Sequence, residues 1–184
     1  CAATGLNLVS VDYRLAPEYH HPVHLDDVED AFNHCYQTDM VVIGASAGGT
    51  LAAALAHRLK GAAKKPAAQL LIYPGLGGDA LALPSYEDNA QAPLLTTEDV
   101  LFYRDARCAS GQLPVDDAEF YPLLAKNYQD LPKTLAYSAD IDPLRDDARL
   151  YVERLEAAGV EARWINQAGL VHDFLRARHR SQKA

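Results

Sequence analysis

The segment Met40-Val41-Val42-Ile43-Gly44-Ala45-Ser46-Ala47-Gly48-Gly49-Thr50 decides the fold of this chain. Its apolar start, 40–43, is typical of a buried strand, and the alanine-rich stretch that follows Thr50 favours a helix. Between them lies Gly-x-Ser-x-Gly, a turn that projects its serine beyond the end of a strand. Ser46 is therefore a candidate nucleophile, although a serine before a helix can also serve only as its N-cap.

The residues next to Ser46 lead to two further predictions, one about the glycines of the turn and one about a backbone N–H group. A side chain at Gly44 or Gly48 is expected to clash inside so tight a turn. The backbone N–H of Ala47, at the start of the helix, is predicted to point where an oxyanion would form.

Length, charge and motifs exclude several classes of function. The chain has 184 residues, enough for one domain with its own core. Its formal net charge of −8 argues against a nucleic-acid or anionic-membrane partner, and no apolar run approaches the length of about 18 residues that a membrane span needs. Without a phosphate loop or a dinucleotide fingerprint, no cofactor is expected.

The cysteines and a histidine cluster are residue types that can bind metals. The cysteines are Cys1, Cys35 and Cys108, and the histidines are His20, His21 and His24. Neither set has a familiar metal-ligand spacing, so no metal is expected, and a loop that precedes a surface helix is the alternative for the histidines. An odd number of cysteines without a disulfide framework fits a reducing, cytoplasmic setting, in which each is expected to be a small buried residue.

Predicted strands alternate with predicted helices along the chain. The predicted strands are 6–13, 40–45, 67–73, 133–139 and 160–166, and the helices lie near 25–37, 47–60, 96–106, 143–158 and 173–181. This alternation predicts an α/β fold with a mostly parallel sheet and helices on both faces. The stretches between these elements that are rich in glycine, proline and aspartate are predicted to be irregular.

Side chains at the carboxyl ends of parallel strands converge on one edge of a sheet. Ser46 follows one predicted strand, Asp140 and Asp142 follow another, and His172 follows the last. His172 would take the proton of Ser46, and an aspartate would orient the imidazole and stabilise its cation. The alternatives are that Asp142 only caps the helix that begins at Pro143 and that His172 is a half-buried loop residue.

Four segments resemble the hormone-sensitive-lipase-like family of α/β-hydrolases, a group of microbial carboxylesterases. They are Val11-Asp12-Tyr13-Arg14-Leu15-Ala16-Pro17-Glu18, the turn 44–49, Asp142-Pro143-Leu144-Arg145-Asp146 and Val171-His172-Asp173-Phe174. The match covers essentially the whole chain and the C-terminal two-thirds of the family. It implies a serine carboxylic-ester hydrolase for short acyl esters that forms an acyl-enzyme.

The resemblance also implies the roles of individual residues. Ser46 would be the nucleophile, Asp142 rather than Asp140 the acid, His172 the base, and the Ala47 N–H an oxyanion donor. The partner would be a small ester. The basic C-terminal helix is either a solvated face or, together with the last strand, the edge of a homodimer.

The sequence departs from the family at three points. Ala45 stands where the family has an acidic residue, and Asp173, where the family has glycine, is a competing partner for His172. The His-Gly-Gly-Gly oxyanion loop, the early strands and the cap are missing. We therefore expect one α/β-hydrolase catalytic domain over 1–184, truncated at its N-terminus, with a one-strand gap in its sheet or a shifted strand at 6–13. A truncated or degenerate non-catalytic module that acts in binding or assembly is the alternative function.

Overall fold

The computed structural model describes residues 4–109 and 111–177. Its helices are α1 (Val23–Cys35), α2 (Ala47–Arg58), α3 (Ser85–Asp88), α4 (Thr97–Ala106) and α5 (Arg145–Ala157). Its strands are β1 (Val41–Ala45), β2 (Ala68–Ile72), β3 (Lys133–Ile141) and β4 (Ala162–Val171). Three 3-10 turns span Gly78–Leu81, Pro122–Leu124 and Phe174–Ala177. The strands form a parallel sheet in the order β1-β2-β3-β4. The predicted α/β class is confirmed.

The core lies between the sheet and the helices α2 and α5. Alanines of α2 such as Ala53 lie in one buried cluster with Leu71 of β2, Ala136 of β3 and Tyr151 of α5. Both helices contact the same side of the sheet, through the buried cluster that they share with β2 and β3. Right-handed crossovers between strands that follow one another in order bring every connecting helix to the same side.

The edge of the sheet at β1 is open. Val41 and Ile43 are 50% and 56% exposed, and β1 pairs only with β2 among the described residues. The predicted strand at 6–13 is wrong, and so is its shifted pairing with β1: the segment has no regular structure, and Leu6 is 71% exposed. Alternating apolar residues form a strand only where a neighbouring strand completes their backbone hydrogen bonds. The four described strands are contiguous, and because 6–13 forms no strand, the expected gap between that strand and β1 does not arise.

The other edge of the sheet is β4, which is longer than predicted. It runs to Val171, so that His172 follows the strand directly. Of the predicted C-terminal helix, residues 174–177 form a 3-10 turn and the rest lies outside the described residues, as does Cys1; the homodimer stays a prediction. Cys35 and Cys108 are both half-buried rather than fully buried. Within 4–109 and 111–177, no helix combines the length and apolarity that crossing a membrane requires.

Candidate active site

Ser46 lies between β1 and α2 with a backbone conformation that residues other than glycine rarely adopt, φ 53° and ψ −121°. Hydrogen bonds from its neighbours over-determine this turn. The Ser46 N–H donates to the Ile72 carbonyl at 2.9 Å, and the Thr50 hydroxyl donates to the Gly75 carbonyl at 2.5 Å. The Ser46 hydroxyl makes no capping bond to α2, so the interpretation as a simple N-cap is wrong. Strain held in this way at a turn is typical of functional sites.

The glycines around Ser46 differ in how much space a side chain would have at each position. A Cβ on Gly44 would collide with the backbone carbonyl of Gly48, so the expectation of a tight turn is confirmed at Gly44. It is wrong at Gly48, where a Cβ would have no neighbour within 4 Å. Instead, the close approach involves Gly49, whose Cβ would lie 2.9 Å from the Cβ of Pro74. The sequence pattern identifies the turn but not which glycine closes it.

Ser46, His172 and Asp142 form a continuous chain of hydrogen bonds. His172 Nε2 lies 2.9 Å from Ser46 Oγ, and His172 Nδ1 lies 2.7 Å from Asp142 Oδ2. His172 is 4% exposed and Asp142 is 0% exposed. A buried carboxylate at Nδ1 favours the tautomer with its proton on that nitrogen, which leaves Nε2 free to accept the hydroxyl proton of Ser46.

The two candidate aspartates have separate partners. Asp142 Oδ1 accepts the Leu144 N–H at 2.9 Å, so that Asp142 caps the turn before α5 as well as contacting His172. Asp140 instead accepts hydrogen bonds from Asn166 Nδ2 at 3.0 Å and the Gly169 N–H at 3.2 Å. These bonds lower the pKa of Asp140 and tie β3 to β4. Only Asp142 is within reach of the imidazole.

Aromatic rings shield His172 from solvent. The ring of Tyr73 lies 4.7 Å from the imidazole and 5.1 Å from the ring of Phe174, measured between centroids. Burial raises the pKa of Tyr73 to about 12. Asp173 has a left-handed backbone, φ 60°, and its carboxylate pairs with Arg176 at 3.2 Å. It therefore does not replace Asp142 at Nδ1.

A cavity of about 330 Å³ opens beside Ser46, and its wall includes Ala47, the first residue of α2. The Ala47 N–H has no acceptor within the helix, because the first turn of any helix leaves its amides unpaired. The fully buried Asp147 fixes the segment that carries the lining residues Gly75 and Gly77, since it accepts the N–H groups of Leu76 at 2.6 Å and Gly78 at 3.1 Å. Burial raises the pKa of Asp147 to about 7.

Sequence reasoning missed two residues of this site, Tyr73 and Arg107. Tyr73 is the last residue of the predicted strand 67–73 and directly follows the observed β2, so the rule that identified Ser46 and His172 applies to it as well. Arg107 follows α4 and lines the cavity beside Phe120, a contact between distant segments that no local pattern signals. In the histidine cluster, His21 hydrogen-bonds Asp117 at 3.0 Å, which is a structural role.

Comparisons with known proteins agree with this fold. A family described as having the alpha/beta hydrolase fold matches residues 1–176. Esterase LipI of Mycobacterium tuberculosis is 38% identical over 180 residues, 91% of this chain and 55% of the relative. Carboxylesterase NlhH of the same species is 37% identical over 182 residues, with 91% and 56% covered. A solved structure of an arylesterase has a TM-score of 0.77 at 31% identity, with 90% and 58% covered. The chain thus spans just over half the length of these relatives.

Proposed function

The chain belongs to the alpha/beta hydrolase family, and we propose that it is a carboxylic-ester hydrolase of the hormone-sensitive-lipase-like kind. Ser46 is its nucleophile, His172 its general base and Asp142 the acid that orients the base. The single observation that carries the proposal is the hydrogen-bond chain from Ser46 Oγ through the imidazole to Asp142, with distances of 2.9 Å and 2.7 Å.

The first half of the reaction acylates the enzyme. Ser46 Oγ attacks the ester carbonyl carbon while His172 Nε2 takes the hydroxyl proton. The imidazolium that results is stabilised by the buried carboxylate of Asp142, and the Ala47 N–H donates to the oxyanion of the tetrahedral intermediate. When the intermediate collapses, the C–O bond to the alcohol breaks and His172 returns the proton to the leaving oxygen.

The second half releases the acid. A water molecule gives one proton to His172 Nε2 and attacks the acyl carbon, and the same proton then returns to Ser46 Oγ as the C–O bond to Ser46 breaks. The low exposure of His172, 4%, supports this role, because exclusion of bulk water strengthens the imidazolium–carboxylate pair.

The departures from the family pattern leave the hydrogen-bond chain intact, which favours an enzyme over a non-catalytic binding module. The carboxylate of Asp173 pairs with Arg176, and neither nitrogen of His172 loses its partner. Ala45 contributes no side chain to the hydrogen bonds that hold Ser46. The substitutions at Ala45 and Asp173 therefore disturb the hydrogen bonds of Ser46 and His172 less than the sequence alone suggests.

Hydrolysis of 4-nitrophenyl butyrate tests the proposal. The chain should hydrolyse this ester, and Ser46→Ala should reduce kcat/KM at least about 10³-fold. Ser10→Ala, at an exposed serine, is the matched control and should leave the rate unchanged. A folded chain without activity, or a Ser46→Ala variant as active as the unsubstituted chain, would contradict the proposal.

A further inference from the structure

We propose that Arg107 makes the wall of the Ser46 cavity a carboxylate subsite, so that the preferred substrates are half-esters of dicarboxylic acids. This inference rests on the proposed esterase function and names the substrate class of the same site. Its basis is the contrast between two arginines that both line the cavity, Arg104 and Arg107.

Arg107 carries a charge that no carboxylate of the described residues neutralises at ion-pair distance. Its Nη2 donates to the Phe120 carbonyl at 2.8 Å, and its guanidinium carbon lies 4.0 Å from the centroid of the Phe120 ring. Its Nε is buried and has no hydrogen-bond partner within 4–109 and 111–177. A guanidinium has five N–H donors in a planar fork that matches a carboxylate. Among the described residues the fork makes one hydrogen bond, through Nη2, so its remaining Nη donors can serve a ligand in the cavity that Arg107 lines.

Arg104, which lines the same cavity, differs from Arg107 because carboxylates pair with its guanidinium. Its Nη1 lies 3.0 Å from Asp79, and its Nη2 lies 2.7 Å from Asp105. The same Asp79 oxygen also accepts the Tyr121 hydroxyl at 3.3 Å. Among the residues that line the cavity, two arginines thus face one carboxylate, Asp79, which leaves a surplus positive charge.

Burial makes this surplus charge a strong ligand for an anion. It lowers the pKa of Arg107 to about 10, which still leaves the group cationic at neutral pH. A cation that has already lost much of its hydration recovers that loss when an anion binds, and a carboxylate bound by two N–H groups is among the strongest charge-assisted contacts.

The position of His172 indicates which part of the ester enters the cavity. The leaving alcohol must lie next to His172 Nε2, from which it takes its proton. The cavity wall includes Ser46 and Ala47, the nucleophile and the oxyanion donor, but not His172. The acyl chain therefore fills the cavity, with its methylenes against apolar residues such as Leu95 and its terminal carboxylate on Arg107. Water and the half-ester then give the dicarboxylate and the free alcohol.

A pair of esters with equal acyl lengths tests the subsite through catalysis. The mono-4-nitrophenyl ester of glutarate ends in a carboxylate where 4-nitrophenyl pentanoate ends in a methyl group. The chain should favour the glutarate ester about 10–100-fold in kcat/KM, mainly through KM. Arg107→Met should abolish this preference and Arg107→Lys should retain part of it. Arg149→Met, on α5 outside the cavity wall, removes the same charge and should retain all of it.

Binding to the Ser46→Ala protein separates this inference from the esterase proposal. Calorimetry should show monomethyl glutarate binding at least about tenfold more tightly than methyl pentanoate, with the difference lost in Ser46→Ala/Arg107→Met. Equal affinities, or no binding of either ligand, would overturn the subsite whether or not the chain hydrolyses esters. The comparison of ligands within the single variant Ser46→Ala decides the question even if the Arg107 variants do not fold. A chain that binds the half-ester more tightly but hydrolyses neither ester contradicts only the proposed function.

Discussion

Two borders of the sheet differ in burial and in hydrogen bonding: the carboxyl ends of its strands and its side along β1. At the carboxyl edge, the polar atoms of His172 and Asp142 are buried and paired. Along β1, Val41 and Ile43 are half exposed, and no described strand completes the backbone hydrogen bonds. The geometry of the site therefore depends on the turns that leave β1, β3 and β4 rather than on what borders β1.

The two edges show which determinants of the site are local. Each member of the hydrogen-bond chain is fixed by a turn that directly follows its own strand. β2 joins β1 to β3, and β3 pairs directly with β4, with a register shift between Ala139 and Ile141. Substitutions in the turns should consequently affect the reaction, whereas substitutions along the outer face of β1 should affect little.

The largest effect is expected at Asp142. Asp142→Asn keeps the shape of the side chain but presents an amide to His172 Nδ1, which favours the wrong tautomer and should lower kcat about 10⁴-fold. Asp140→Asn is the matched control, because Asp140 binds Asn166 and Gly169 instead of the imidazole. It should change kcat less than about threefold. Equal losses in the two variants, measured with a nitrophenyl ester, would contradict the assignment of Asp142.

The next effect is expected at Gly44. A methyl group there meets the backbone of Gly48 and Gly49, which cannot move without breaking the turn. Gly44→Ala should lower the free energy of unfolding by about 3 kcal/mol. Gly48→Ala enters open space near the start of α2 and should leave stability unchanged or slightly raised. Urea denaturation of the two variants tests this, and similar midpoints would contradict the geometry of the turn.

A pair of apolar residues compares the core with the open edge. Leu71 of β2 is 0% exposed, and Leu71→Ala should cost about 3 kcal/mol, because it removes buried methyl groups and leaves a cavity. Ile43 of β1 is 56% exposed, and Ile43→Ala should cost less than about 1 kcal/mol. Thermal denaturation measures both, and an equal loss at Ile43 would mean that another part of the molecule covers the β1 edge.

A pH-dependent effect is expected at Asp147, which fixes the segment that carries the lining residues Gly75 and Gly77. Its pKa is raised to about 7 by burial, above the ordinary value of about 4. A raised carboxyl pKa means that the folded state binds the proton more tightly, so this contribution to stability is complete below pH of about 4 and is lost as the pH rises through 7. Asp147→Asn should reduce the decline in unfolding free energy between these pH values. A variant with an unchanged pH profile would contradict the assignment.

The smallest effect is expected at Asp173. Its backbone is left-handed, φ 60°, a conformation that glycine adopts without strain. Its ion pair with Arg176, a residue whose side chain is 84% exposed, contributes little. Asp173→Gly should therefore raise stability by about 0.5 kcal/mol and leave kcat within about twofold. Lower stability, measured by thermal denaturation, would show that the carboxylate stabilises the loop.

The sequence predicts those features that depend on neighbouring residues. The strand, turn and helix around Ser46 are encoded in a dozen consecutive residues, and the positions of Asp142 and His172 follow from the rule that functional side chains gather at strand ends. The prediction of a strand at 6–13 is wrong because the alternation of apolar residues is visible locally, whereas a strand also needs a partner strand that local sequence does not reveal. The same limit applies to Arg107, whose contact with Phe120 joins two segments without any periodic pattern.

Labelling with a fluorophosphonate tests most directly whether the carboxyl edge of the sheet activates Ser46. The folded chain should form one covalent adduct, found by peptide mass spectrometry on Ser46, and His172→Ala should slow labelling at least about 10³-fold. An adduct on another serine, or labelling of Ser46 at the same rate with and without His172, would contradict the proposed catalytic role of these residues.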